Sequence, residues 1–244
     1  MELVGISDVG SVREINQDSF LMLENKEKGI VAFGVADGLG GHNAGEIASA
    51  LCMDILREYF NISNQFFEDM KDEIKGIIEY ANKRILEFSK ENEETRGMGT
   101  TLTLCIVHED ELYIVHVGDS RCYMITADSI EQITTDHSLV SQMVERGEIT
   151  PEEAEHHPNR NIITNALGTQ KDFFVDTYDV KLSGNEIILV CSDGLCEHLS
   201  DDEILEIIKA SPSLEKAKHT LIDKVNENGG TDNATVVMFD GGEE

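Results

Sequence analysis

The stretch VADGLGGHNAGEIAS, Val35 to Ser49, decides how the rest of the chain is read. An apolar run ends at Asp37, Gly38, Gly40 and Gly41 follow within four residues, then comes His42, and beyond it the apolar positions adopt helical spacing. A buried strand therefore stops on a carboxylate and passes into a helix through backbone that carries few side chains. Glycine leaves main-chain atoms open to close approach, so this junction suits a ligand at the strand tip. A nucleotide loop is one reading, but the run has neither the lysine of G-x-x-x-x-G-K-[ST] nor the frame of G-x-G-x-x-G.

Outward from this junction, LVGISDVG and FLMLENKEKGIVAFGVADG read as strands, and the polar turn at Asn25 to Gly29 predicts a hairpin. On the other side, Ile47, Ala48, Leu51, Cys52, Ile55, Leu56 and Tyr59 recur at three and four residues, the stripe of an amphipathic helix over 44–60. Met70, Ile74, Ile77, Ile78, Ala81, Ile85 and Phe88 predict a second helix that ends in the charge and glycine of KENEETRG. Three strands follow, GTTLTLCIVH, ELYIVHVGD and RCYMIT, joined by tight polar turns and expected to pair antiparallel.

From Thr134 to Gly168 the pattern changes to short helices and loops, with Thr150, Pro151 and Glu153 as a capping box with proline at the first helical position. This reads as an appended flap over about 138–165. Strands resume at FFVDTYDVKL and EIILVCSDG, helices follow near 201–209 and 214–226 with Ser200 and Glu203 capping the first, and ATVVMF is a last strand. Strands in runs and helices in pairs point to an α+β fold of antiparallel sheets covered by helices. One domain over 1–240 is expected, with a frayed tail at 241–244.

The longest uncharged, mostly apolar stretch, TLTLCIV, is far below the roughly 18 residues that a membrane span needs. The start MELVGISDVG shows no basic region, apolar block and cleavage site, so the expected location is the cytoplasm. Five cysteines, an odd number without a C-x-x-C pair, read as core thiols rather than zinc or disulfide positions. Forty-eight acidic side chains against 19 basic ones give a formal charge of −29, a field that repels a phosphate backbone and argues against a nucleic-acid partner.

Four apolar runs carry an aspartate at the edge: Asp37 in VADG, Asp119 in HVGDSR, Asp193 in VCSDG and Asp232 in GGTDNATVV. Singly, each is a turn former that caps local backbone. Together they suggest carboxylates brought to one rim of a sheet system, where they repel unless cations lie among them. Oxygen ligands without a His or Cys cluster favour Mg²⁺ or Mn²⁺ over zinc.

The blocks REINQDSF, VADGLGGHNAGEIAS, GMGTTLTL, VGDSRCY, TTDHSLVSQMVERGEIT, NIITNALG, LVCSDGL and GGTDNATVV come in the order and spacing of a known family. Over nearly its whole length the chain resembles the metal-dependent PP2C-type (PPM) protein serine/threonine phosphatases, in their compact bacterial branch. The resemblance implies a four-layer αββα sandwich, two central antiparallel sheets between helix pairs, and hydrolysis of phosphoserine and phosphothreonine by water at a centre of two Mn²⁺ or Mg²⁺ ions. Asp37 bridges the pair in such a centre, with the Gly38 carbonyl, Asp193 and Asp232 as further ligands. Asp119, with Asp193, matches the position of a third, weaker ion.

Arg13 matches the family's phosphate-binding arginine, Asp18 a residue that orients water at the metals, and Asn233 a support for Asp232. Where animal members carry a histidine after the Asp-Gly pair, this chain has Leu39; His42 is the nearest proton donor, with another acid or water as alternatives. His137, His156 and His157 read as structural or surface residues. The implied partners are phosphoproteins and a bacterial Ser/Thr kinase whose action is reversed, and the expected state is a monomer without membrane attachment. A silent phosphoprotein-binding relative and a hydrolase of small phosphoesters are the competing readings; retention of all four aspartates speaks against the first.

Overall fold

A computed structural model describes residues 1–40, 44–62, 67–91 and 93–242. In chain order the strands are β1 (Glu2–Asp8), β2 (Asp18–Asn25), β3 (Ile30–Leu39), β4 (Gly99–Thr100), β5 (Leu102–His108), β6 (Glu111–Val117), β7 (Arg121–Ile125), β8 (Ile130–Gln132), β9 (Asp176–Lys181), β10 (Ile187–Cys191) and β11 (Ala234–Asp240). The helices are α1 (Gly45–Ile62), α2 (Phe67–Phe88), α3 (Leu139–Glu145), α4 (Pro151–Glu155), α5 (Asp193–Cys196), α6 (Asp201–Ala210) and α7 (Leu214–Glu227). One sheet has the order β1-β11-β10-β7-β8 and the other β2-β3-β5-β6-β9, with the short β4 beside β3; every ladder is antiparallel.

Side-chain alternation builds four layers from these two sheets. On β3, Val31, Phe33 and Val35 join Cys105, Ile114, Cys122, Val190, Val237 and Phe239 in a core between the sheets. The alternate residues Ala32 and Ala36 pack with Leu56, Ile78 and Ile85 under α1 and α2. On the far side, Val236 and Met238 of β11 pack with Ile204, Leu221 and Val225 under α6 and α7. Strands buried on both faces need apolar residues at every position, which is why these segments read as continuous apolar runs. The fold is the expected α+β sandwich of two antiparallel sheets between helix pairs.

One expected pairing is corrected. β5 and β6 form a hairpin, but β7 does not continue it: β7 pairs with β10 and β8 in the other sheet. The chain changes sheets at Gly118, whose φ of +111° favours glycine and whose missing Cβ would stand 2.5 Å from the Thr101 methyl. A turn that looks like a hairpin connection is thus a crossover, and it delivers Asp119 to the end of both sheets. The strand β8 was not expected from the sequence.

In the flap, the Thr150–Glu153 capping box with Pro151 forms as read, as does the Ser200–Glu203 box on α6. The two ends of the flap are tied together: Leu139 N–H donates to Ile162 O at 2.8 Å and Thr164 N–H to His137 O at 2.8 Å. At the C-terminal end, Gly242 accepts from the Met1 amino group at 3.2 Å, while residues 243–244 of the expected frayed tail lie outside the described residues. Among the described residues, no helix is long and apolar enough to cross a membrane.

Candidate active site

Both sheets end on carboxylates at the same rim. The β2–β3 register sets Asp18 opposite Asp37 in one sheet. In the other, Asp193 follows β10 and Asp232 precedes β11, while Asp119 lies in the crossover between the sheets. Asp18 spans the gap, its Oδ2 accepting from Ser192 Oγ at 2.7 Å and Thr235 Oγ1 at 2.6 Å, both from the opposite sheet.

Asp37 is fixed through its backbone by the threonines of GMGTTLTL. Thr101 N–H and Thr100 Oγ1 donate to Asp37 O, each at 2.9 Å, and Asp37 N–H donates to Thr101 Oγ1 at 2.9 Å. The Thr101 hydroxyl in turn lies 2.7 Å from that of Ser120, next to Asp119. Beyond Asp37 the chain tolerates no side chain: a Cβ on Gly38 would stand 2.2 Å from Gly45 O and 2.5 Å from Gln17 O. The glycine is required there because α1 begins directly against the strand tip.

Burial and mutual repulsion hold Asp18, Asp37, Asp119 and Asp193 toward the protonated form. Desolvation pushes the Asp37 carboxyl well above the usual range, with Asp18, Asp193 and Asp119 adding to it; Asp193 is raised by desolvation, then by Asp119, Glu197 and Asp232. Burial pushes Asp119 up to about 7, helped by Asp136, and Asp18 up to about 6 against the hydrogen bonds from Thr235 and Ser192. Asp37 stands near enough to Asp18 and Asp193 for both to raise its carboxyl, a crowding that carboxylate anions sustain only with protons or cations among them.

Among the described residues, two oxygens, Asp18 Oδ1 and Asp119 Oδ1, are buried with no hydrogen-bond partner. A buried anionic oxygen without a donor costs several kcal/mol unless a cation supplies the missing charge, so this donor set fits a hard divalent ion. Side chains alone do not complete such a site: among the described residues, no group of three or more His, Cys, Asp and Glu is gathered tightly enough to hold an ion. Asp232 Oδ2 lies 2.6 Å from Arg13 Nη2.

Arg13 stands half-exposed at the rim on a loop that Asn233 fastens. Asn233 Oδ1 accepts from Gln17 N–H at 2.8 Å, and its Nδ2 donates to Val9 O at 2.9 Å and Ile15 O at 3.1 Å. Asn233 N–H also donates to Asp232 Oδ1 at 2.8 Å. Arg13 thus pairs with an acid 219 residues away in the chain. His42 lies outside the described residues.

Of the two roles read for His137, structural or surface, the structure shows the structural one. His137 is 5% exposed, and its Nδ1 accepts from Gly118 N–H at 3.0 Å and Asn165 Nδ2 at 2.9 Å, while Nε2 faces Asp176 Oδ2 at 3.2 Å. The two donors require an unprotonated Nδ1, so the proton is on Nε2; burial holds the ring neutral by pushing its pKa down. His137 thus ties the Asp119 turn to the base of the flap. His137→Ala leaves the Gly118 N–H and the Asn165 amide unpaired in the interior, and a loss of about 2–4 kcal/mol in urea unfolding is expected; a change below 1 kcal/mol would refute this tie.

Sequence reasoning missed Arg121. It grips Asp136 with two nitrogens, Nε to Oδ1 at 3.0 Å and Nη2 to Oδ2 at 2.7 Å. The pair lines a cleft of about 1250 Å³ between the flap and α5, shared with Asp119, Asp193, Cys196 and Glu197. Four cysteines are buried as expected, but Cys196 is only half-buried and opens on this cleft. A hydrogen bond with Cys191, together with nearby Arg121 and Tyr123, brings its pKa down to about 7 against the effect of burial. The spacing C-x₄-C carries no recognised signal, so neither residue stood out in the sequence.

A sandwich of two antiparallel sheets between helix pairs, with carboxylates from both sheets at one rim, defines the class of protein. The family model described as "Protein phosphatase 2C" matches residues 11–227, and the chain belongs to that family. It is 36% identical to "Serine/threonine phosphatase stp" of Listeria innocua over 96% of this chain and 93% of the relative. It is 35% identical to "Protein phosphatase PhpP" of Streptococcus pneumoniae over 100% and 99%. The crystal structure of serine/threonine phosphatase Stp1 from Staphylococcus aureus superposes with a TM-score of 0.92 at 35% identity, covering 97% of this chain and 93% of that one. Dependence on manganese or magnesium goes with this family.

Proposed function

We propose that the rim formed by Asp37, the Gly38 carbonyl, Asp193 and Asp232 holds two divalent ions, manganese or magnesium, and that Asp119 with Asp193 holds a third more weakly. The chain is a protein serine/threonine phosphatase, a phosphoric monoester hydrolase acting on phosphoproteins. The observation that carries the assignment of the centre is the pair of buried, donorless oxygens, Asp18 Oδ1 and Asp119 Oδ1, among acids that desolvation already raises. When bound, divalent ions acidify water and offset the charge that builds on phosphoryl oxygens.

The protein's own groups then do the positioning. Asp18, its Oδ2 held by Ser192 and Thr235, keeps Oδ1 free to orient water. Arg13 offers two parallel N–H donors to phosphate oxygens, at the end of a loop that Asn233 keeps in place. His42 is the proposed proton donor to the leaving oxygen. The described carboxylates exceed what a silent phosphoprotein binder needs. The working unit is one domain over 1–240 with a flap at about 138–165, monomeric, cytoplasmic and opposed to a bacterial Ser/Thr kinase.

A manganese titration of phosphothreonine-peptide hydrolysis, run beside a small aryl phosphate, tests this reading. Turnover of the peptide that rises with metal, at a higher kcat/KM than the aryl ester, is the expected outcome. Turnover of the aryl ester alone would make the chain a small-phosphoester hydrolase, and binding without turnover a silent relative. Arg13→Ala is expected to raise KM for the phosphopeptide by about 10–100-fold, the loss of one charge-assisted hydrogen-bonded contact, with a much smaller change in kcat. An unchanged KM would remove Arg13 from the phosphate site.

A further inference from the structure

Two thiol pairs lie at the same separation in this fold. Cys105 and Cys122 approach to 3.6 Å between the sheets, and Cys191 and Cys196 to 3.6 Å at the end of β10. Their surroundings differ. Cys105 and Cys122 are both fully buried in the inter-sheet core. Cys196 is half-buried on the cleft beneath the flap, with fully buried Cys191 directly behind it. Cys196 thus lines the cleft, and its sulfur has a partner thiol.

The Cys196 sulfur is also held in place. Tyr123 Oη lies 3.4 Å from it and accepts from Arg121 Nη1 at 3.1 Å, which leaves the tyrosine's own hydrogen free to point at the sulfur. Arg121 is fixed in turn by Asp136. A half-buried cysteine in a cleft lining, set near a guanidinium and backed by a second thiol, has the arrangement of a peroxide-reactive site.

We propose that Cys196 is a site of oxidation by hydrogen peroxide and that Cys191 resolves the product into an intramolecular disulfide. The Cys196 sulfur attacks one peroxide oxygen, the O–O bond breaks, and the released hydroxide takes the thiol proton and leaves as water, giving a sulfenic acid. The Cys191 sulfur then attacks the Cys196 sulfur, the S–O bond breaks, and hydroxide leaves with the Cys191 proton as a second water. The two thiols lose two electrons and the peroxide gains them.

The bond closes a ring through Ser192, Asp193, Gly194 and Leu195. It must draw the sulfurs from 3.6 Å to about 2.05 Å. The ring contains Asp193, and Ser192 is the residue whose hydroxyl donates to Asp18. Displacement here moves two members of the carboxylate rim, so oxidation lowers turnover. The bond itself stands apart from the proposed function; only its effect on turnover rests on that reading.

The magnesium-loaded full chain is treated with hydrogen peroxide, quenched with catalase, alkylated with N-ethylmaleimide, digested without reduction and mapped by mass spectrometry. Activity on a phosphothreonine peptide is read before and after dithiothreitol. The expected result is a Cys191–Cys196 linked peptide, free Cys105 and Cys122, and a loss of turnover of at least about tenfold that dithiothreitol reverses. Cys196→Ser, compared with its own untreated sample, should form no linked peptide and lose no activity. Absence of the linked peptide, or an equal peroxide loss in Cys196→Ser, would overturn the proposal. Absence of turnover before any oxidation would count against the phosphatase reading alone, since the map judges the disulfide independently.

Discussion

Asp37→Asn is expected to reduce phosphopeptide turnover by about a thousandfold or more and, at the same time, to raise the melting temperature of the metal-free protein. Asp37 is crowded by other acids, with Asp18, Asp193 and Asp119 all raising its carboxyl after desolvation. An amide in its place keeps the shape, removes the charge and cannot bridge two cations; stabilisation of transition-state charge by metals is worth several kcal/mol, enough for that loss. In the metal-free protein the same change removes a desolvated, repelled group, and a gain of a few degrees follows. The two readouts separate the site from the scaffold. A residue needed only for packing would lower the melting temperature when replaced, and wild-type turnover in Asp37→Asn would end the two-ion assignment.

How far this centre was legible in the sequence depends on how far apart its parts lie. The Asp18–Asp37 pair follows from hairpin geometry: a turn that sets Asn25 opposite Ile30 puts residue 25 − 7 = 18 opposite 30 + 7 = 37. The capping boxes at Thr150 and Ser200 were readable because each is complete within four residues. The β6–β7 connection was misread because VGDSR looks like a polar hairpin turn. Only packing against Thr101 shows that Gly118 leads into the other sheet. His137 and Cys196 were read as ordinary residues for a related reason. Their partners, Gly118, Asn165 and Asp176 for one and Cys191, Tyr123 and Arg121 for the other, come from separate strands and loops that no local pattern links.

The same electrostatics predict opposite pH dependences for the metal-free and metal-loaded protein. In EDTA, the folded carboxyls of Asp18 and Asp119 titrate at about 6 and about 7 against 3.8 when unfolded, and those of Asp37 and Asp193 are raised well above 3.8, by burial first and then by neighbouring acids. A raised acid makes the folded state bind protons that the unfolded chain has already lost, so stability falls as pH rises from about 4 through about 7. Each such group is worth up to about 1.4 kcal/mol per pH unit inside that window. Two buried histidines oppose the trend: His116, lowered to about 3 by desolvation and then by His137, and His137, lowered by desolvation, resist charging while their unfolded counterparts take up protons near 6.5. Four acids outweigh two histidines, and the metal-free protein melts higher at pH 6 than at pH 7.5. Divalent ions reverse the slope because they bind the deprotonated carboxylates. At a hundred times Kd each site adds about 2.7 kcal/mol, so two sites at pH 7.5 raise the melting temperature on the order of 10 °C, and acidification then lowers it. Scanning calorimetry at both pH values, with EDTA and with manganese, checks the pattern; a metal-free protein that melts lower at pH 6 than at pH 7.5 would mean that the rim acids are not buried together.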